Sequence, residues 1–233
     1  MSWGDSMFSV SDTMSDLKVH MPHTPNPAKS KADVLRDFRT DQILDAATVV
    51  FGKLGYAEAS IERIAEEAGV ARSTVYVYFP NKELLLNHCL ARHRVVLGGR
   101  VRTAVDSVSG LEARLAAFFS AVLLYVGEVS EFFRALMGVR GIDPFFGASS
   151  SEVPTPELET LREEVQLVVD SIFARALAAG ELAPEAEPLA RDTLPLVLYG
   201  ALMRRTIAPG PADPSREAAQ LVRMLLHGVA PRA

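Results

Sequence analysis

The sequence is poor in the residues that most catalytic and extracellular architectures require. Cys89 is the only cysteine among 233 residues, so no internal disulfide can form and the disulfide frameworks of small secreted domains are excluded. The five histidines (His20, His23, His88, His93 and His227) form no Cys/His cluster. His88 and His93 are five positions apart, a poor same-face spacing for two ligands, so metal sensing is not expected. There is no nucleophile elbow, phosphate loop or paired set of catalytic carboxylates, so no enzyme and no cofactor are expected. No apolar run approaches the ~20 residues that span a bilayer, and no secretory leader is recognisable. A cytoplasmic protein without a membrane partner is the expectation.

Alternating strand patterns are also missing. Apolar residues make up 48% of the chain, enough for a substantial core, and Ala, Leu, Arg and Glu dominate. These are helix formers, so an all-α fold is predicted. The net charge of −5 argues against non-specific coating of nucleic acid. The charge is uneven, however. Residues 29–100 carry 11 Lys+Arg against 9 Asp+Glu, residues 101–233 carry 12 against 17, and residues 1–28 carry 1 against 3. The small basic excess therefore lies in the stretch that holds the most informative pattern.

That pattern runs from Ser60 to Phe79. Ile61, Ile64, Ala65 and Ala68 fall at i, i+3, i+4 and i+7, one apolar face of a short helix. Ser60 can cap it, and Gly69 follows its last apolar position, where a left-handed residue ends a helix cheaply. A second helix fits Arg72 to Tyr78, with Val75 and Phe79 facing inward. Arg72, Ser73, Thr74, Tyr76, Val77 and Tyr78 are left partly outward. Upstream, Ile43, Ala47, Val50 and Leu54 make another stripe that Gly55 ends. Downstream, Pro80 stops the second helix and Asn81 caps a third that begins Lys82-Glu83-Leu84. In a helix–turn–helix the second helix enters the major groove, and residues near its N-terminus reach base edges. Arg reads guanine, Thr and Val methyls meet the thymine methyl, and Tyr hydroxyls bond phosphates. Any helical hairpin with a glycine turn shares part of this spacing.

From about Arg36 to Leu86 the chain resembles the TetR family of one-component transcriptional regulators. The resemblance is carried by Ile43-Leu44-Asp45-Ala46-Ala47, Phe51, Gly55-Tyr56, Ser60-Ile61, Ile64-Ala65, Ala68-Gly69-Val70, Thr74-Val75-Tyr76, Tyr78-Phe79 and Asn81-Lys82-Glu83-Leu84. It implies an N-terminal three-helix DNA-binding domain, a helical effector-binding and dimerisation domain behind it, and a homodimer. Ala71 departs from the pattern, since the family often has Ser or Thr at the start of the second helix. An alanine there forfeits a cap contact of ~1 kcal/mol. On this reading Arg72, Ser73, Thr74 and Val77 are the expected base contacts. Arg39, Thr40, Ser60, Tyr76, Tyr78 and Lys82 are the expected phosphate contacts. The partners are a double-stranded DNA operator, a small apolar effector and a second copy of the chain.

The expected division is an arm at 1–32, a DNA-binding domain at 33–80 and a ligand-binding and dimerisation domain at 81–233. The arm is rich in Ser, Asp and Pro and reads as disordered. Lys29, Lys31, Arg36 and Arg39 end it with positive charge, suited either to DNA contact or to a solvated leader. A helix from Asn81 to Leu97 is predicted to be interrupted at Gly98-Gly99 and to resume through Val108, with Ser109-Gly110 closing it. Further helices are expected at Leu111–Val126, Glu128–Met137, Pro156–Ala179, Glu187–Ala208 with a kink at Pro195, and Ser215–Val229. Between them, Phe145-Phe146 in a Gly/Ser-rich loop is either a lid or a plug. The last two helices are apolar on more than one face, which fits the dimer that the resemblance implies. The implied effector cavity would be lined by Phe118, Phe119, Leu123, Phe132, Phe133, Met137, Phe173, Leu177, Tyr199 and Met203. Tyr125, Arg134, Asp170, Tyr199 and Arg204 are the polar groups available to orient a ligand. The competing reading is a helical dimeric adaptor with a vestigial head, supported only by Ala71 and the weak basicity.

Overall fold

The computed structural model describes residues 30–137, 156–207 and 213–227, and among these all regular structure is helical. The elements are α1 (Lys31–Glu58), α2 (Ile61–Ala68), α3 (Arg72–Tyr78), α4 (Lys82–Asp106), α5 (Leu111–Glu128), α6 (Ser130–Met137), α7 (Pro156–Ala178), α8 (Glu187–Ile207) and α9 (Pro214–His227).

Each boundary in the N-terminal half has a local cause. Ser30 caps α1 by accepting from the Asp33 amide at 3.1 Å, while the Asp33 carboxylate accepts the Ser30 amide. Lys31, Arg36 and Arg39 therefore lie on a helix rather than at the end of an arm. Residues 1–29 lie outside the described residues. Gly55 interrupts α1 at φ 75°, leaving carbonyls near the break without helical partners. Lys82 supplies them: its ammonium donates to the carbonyls of Tyr56 at 2.8 Å, Ala57 at 3.3 Å and Ala59 at 2.9 Å. Ser60 caps α2 through the Arg63 amide, and Gly69 closes it in the left-handed region at φ 63°. Gly69 N–H then bonds Glu66 O and Val70 N–H bonds Ala65 O, which satisfies the last carbonyls of α2. Asn81 caps α4 through the Leu84 amide at 2.7 Å.

Two apolar clusters result. The first joins α1, α2 and α3 to the opening turns of α4 (Leu85, Leu86, Cys89 and Leu90) and takes in Phe132 from α6. The second surrounds α5, which packs against α4, α7, α8 and α9. Cys89 is fully buried, as a small core residue should be. The expected break at Gly98-Gly99 does not occur, because α4 continues to Asp106. Gly98 is buried where α4 meets α7, and a Cβ there would lie 3.1 Å from the Glu164 carboxylate. The glycine permits a close approach of two helices rather than interrupting one. Phe145-Phe146 falls outside the described residues.

α6 is the second link between the clusters. It packs closely on α1, where Gly52 stands against the α6 backbone. A Cβ on Gly52 would meet Phe132 N at 3.0 Å and Glu131 Cβ at 3.2 Å.

Candidate DNA-reading face and ligand cavity

α3 turns Val75 into the core at 0% exposure and leaves Val77 78% exposed. Arg72, Ser73, Tyr76 and Val77 form its open face, with Thr74 and Tyr78 half-buried at the edges. Arg72 is organised before any ligand arrives. Its guanidinium pairs with Glu62 at 2.8 Å and donates to the Tyr76 hydroxyl at 3.2 Å, one helical turn on. The Tyr76 bond and the Glu62 charge raise the Arg72 pKa. The Glu62 carboxyl is held below its ordinary range, first by a backbone N–H and then by Ser60 and Arg72. Arg39 donates to Gln42 at 2.8 Å, and Gln42 donates to Ala68 O at 2.7 Å, so Arg39 stands beside the turn between α2 and α3. Thr40 donates back to Arg36 O at 2.9 Å, leaving its oxygen free to accept. Ala71 provides no side-chain cap to α3, and its carbonyl takes the Thr74 and Val75 amides instead.

A phosphate contact is expected of Lys82 from the sequence; in the structure its three N–H groups are given to the carbonyls beside Gly55, and its ammonium sits 4.4 Å from the centroid of the Tyr56 ring. It acts as a cap for the broken end of α1.

Behind the head lies an apolar cavity of about 140 Å³ between α4, α5, α6, α7 and α8. Leu90, His93 and Leu97 of α4 form one wall, and Phe118, Val122, Tyr125 and Val126 of α5 form another. Phe132 and Phe133 of α6, Val165 and Val169 of α7 and Leu194 and Leu198 of α8 complete it, with Arg162 and Gln166 as polar members. His93 and Tyr125 are hydrogen-bonded through Nδ1 and Oη at 2.5 Å. Burial pushes the His93 pKa down to about 4, assisted by the Arg92 charge and opposed by Asp45, so the ring is neutral at pH 7. Burial also pushes Tyr125 up to about 12.

Residues 43–89 match the family of bacterial regulatory proteins, tetR family. The transcriptional repressor KstR of Mycobacterium tuberculosis is 29% identical over 197 residues, covering 81% of this chain and 80% of that protein. The transcriptional activator FasR of Mycolicibacterium smegmatis is 38% identical over 91 residues, covering 37% of this chain and 42% of that protein. In fold the chain is similar to Bacillus subtilis FadR, a transcriptional regulator solved in complex with stearoyl-CoA. That likeness has a TM-score of 0.69 at 20% identity and covers 82% of this chain and 99% of FadR. Residues 43–89 form a TetR-family DNA-binding domain, and the likeness over most of the chain supports a TetR-family regulator. The chain is a DNA-binding transcription regulator and not an enzyme.

Within this regulator, the predicted effector residues separate sharply. Phe118, Phe132 and Phe133 line the cavity. Phe119 and Leu123 lie one position further round α5, a turn of about 100°, and are fully buried in the core together with Phe173. Leu177, Tyr199 and Met203 are half-buried away from the cavity wall, and the Met137 side chain lies outside the described residues. Of the predicted polar groups only Tyr125 reaches the wall, because Asp170 pairs with Arg191 at 2.5 Å and Arg204 pairs with Glu217. His93 was missed, although the spacing Leu90–His93–Leu97 sets it on an apolar stripe. Among the described residues there is no metal-binding cluster and no helix long and apolar enough to cross a membrane.

Proposed function

We propose that this regulator is a homodimeric repressor that reads a pseudo-palindromic operator with α3 and leaves it when a small apolar effector enters the cavity. One observation carries the reading: the cavity wall and the head share residues. Leu90 and Phe132 belong at once to the apolar core of the head and to the cavity lining. A ligand cannot press on the wall without pressing on the packing that holds α1. The cavity's size adds to this. At about 140 Å³ it matches the ~150 Å³ of a site that holds one benzene, and it falls below the ~300 Å³ at which drug-sized pockets begin. A longer acyl-type ligand enters only if α4 parts from α5 or α7, and α4 carries the head.

In this reading residues 33–80 form the reader, residues 81–233 the sensor and dimer-forming part, and residues 1–32 an arm. The opening turns of α4 act in both parts. Arg72, Ser73, Thr74 and Val77 face the bases, while Arg39, Thr40, Ser60, Tyr76 and Tyr78 hold the backbone. Dimerisation is supported by exposed apolar side chains on α8 and α9, notably Leu189 at 74%, Leu196 at 56% and Met224 at 40% exposure. A reader of operator DNA works in the cytoplasm. The stearoyl-CoA held by Bacillus subtilis FadR makes acyl thioesters the first effectors to try. The test is fluorescence anisotropy of a duplex selected by the protein, titrated with acyl-CoAs of increasing chain length. A loss of at least tenfold in operator affinity with one of them is expected. An acyl-CoA that binds the protein and leaves operator affinity unchanged contradicts the proposal.

A further inference from the structure

His93 stands at a junction of four helices. On α4 it lines the cavity. Its Nδ1 meets Tyr125 Oη of α5 at 2.5 Å, and its Nε2 lies 3.5 Å from Thr48 Oγ1 of α1. Its ring lies over Phe132 of α6, with centroids 4.7 Å apart. Thr48 in turn donates to Leu44 O at 2.9 Å, within α1.

The bond from Thr48 to Leu44 O favours one polarity for this set. A threonine hydroxyl has a single hydrogen, and Thr48 spends its own on Leu44 O. Its oxygen can therefore only accept, so Nε2 of His93 carries the ring hydrogen. A neutral imidazole has one hydrogen, which makes Nδ1 the acceptor, so Tyr125 must donate its O–H. The result is a directed chain from the cavity to the backbone of α1: Tyr125 to His93 to Thr48 to Leu44. Its two ends are unequal, tight at Tyr125 and loose at Thr48. An acceptor atom placed in the cavity competes for the Tyr125 hydrogen. When it wins, Nδ1 loses its donor, and the ring is no longer held towards α5.

We propose that Tyr125 and His93 are the ligand-reading polar site of this cavity, that they select an apolar molecule bearing a carbonyl-type hydrogen-bond acceptor, and that Thr48 and Phe132 pass its occupancy to α1. This rests on the reading of the cavity as the effector site. His93 is a positioning residue, acting on the head through its neighbours. Phe132 gives it a second route, because the same side chain is built into the core of the head.

The test compares two probes of nearly equal shape, propiophenone and propylbenzene, which differ by one carbonyl. The full-length protein is labelled with ¹⁵N-histidine, and the His93 nitrogens are assigned with His93→Gln. At pH 7 without a probe, His93 is expected in the Nε2–H form. Propiophenone is expected to move the Nδ1 resonance towards that of an unbonded nitrogen, while propylbenzene binds and leaves it in place. In Tyr125→Phe the preference for the ketone over the hydrocarbon should fall roughly fivefold to tenfold, the worth of one hydrogen bond. In Thr48→Val, which leaves Tyr125 and the ring in place, the Nδ1 response should persist while the ketone's effect on duplex affinity shrinks. Equal movement of Nδ1 by both probes, or an unchanged preference in Tyr125→Phe, overturns the polar site and leaves the effector cavity standing. Binding of neither probe overturns the cavity reading and this inference with it.

Discussion

The neutral, buried state of His93 predicts a specific acid weakness. A histidine in an unfolded chain titrates near 6.5. In the folded protein burial, with help from Arg92, holds it at about 4. The folded value lies below the unfolded one, so between these pH values the unfolded chain binds the proton and the folded chain does not. Stability is complete above about pH 7.5, falls as the pH drops through 6.5 and stops falling near 4. The interval is about 2.5 pH units at ~1.36 kcal/mol each, which gives ~3.4 kcal/mol at the limit and ~2.5 kcal/mol at pH 4.5. Solvent at the half-buried ring reduces the latter to ~2 kcal/mol. Acid also titrates the carboxylates, so the assay is a difference. Urea unfolding followed by circular dichroism is run on the wild type and His93→Gln at pH 7.5 and 4.5. The wild type should lose ~2 kcal/mol more than the variant between the two. Equal losses would refute the reasoning, because His93 would then be charged or solvated in the native state.

Further outcomes follow from single contacts. Gly52→Ala should destabilise the protein by ~1–3 kcal/mol in chemical denaturation, because its Cβ meets the α6 backbone at 3.0 Å. Gly98→Ala should cost under ~0.5 kcal/mol in the same assay, because its Cβ meets only the movable ends of Glu164, at 3.1 Å, and Arg102, at 3.3 Å, and alanine favours the helix. Lys82→Met should cost ~1–3 kcal/mol in stability by stripping the carbonyls of Tyr56, Ala57 and Ala59 of their donor. The slope of operator affinity against salt should stay unchanged, whereas a phosphate-binding lysine would lower it by about one. Arg72→Ala should reduce discrimination between matched and mismatched duplexes by ~1–3 kcal/mol, and Tyr76→Ala should weaken binding to all duplexes alike; both are read by anisotropy.

The head was legible in the sequence because its signals are local. Ser60, Gly69 and Asn81 each act within four residues, and the stripe Ile61–Ile64–Ala65–Ala68 needs only a helical period to be read. What was misread depends on partners far along the chain. The capping role of Lys82 went unread because nothing local revealed that Gly55, 27 positions earlier, exposes carbonyls beside it. Gly98 looked like an interruption in the helix, since the close approach of α7 is invisible in the residues around it. The cavity was the least legible part. Phe118 and Phe119 are adjacent and chemically identical, and only the direction of α5 decides that one lines the cavity and the other fills the core. His93 carried a signal, a polar ring inside an apolar stripe, but its meaning rests on Tyr125 and Thr48, which come from two other helices.

The central claim is that two copies of α3, held by a two-fold axis, read DNA in sequence. It is tested most directly by selecting bound duplexes from a random pool with the purified full-length protein at physiological salt. The account predicts enrichment of an inverted repeat that the Arg72→Ala variant enriches less sharply. A folded protein that enriches no sequence from the pool contradicts it and favours a helical adaptor with a vestigial head.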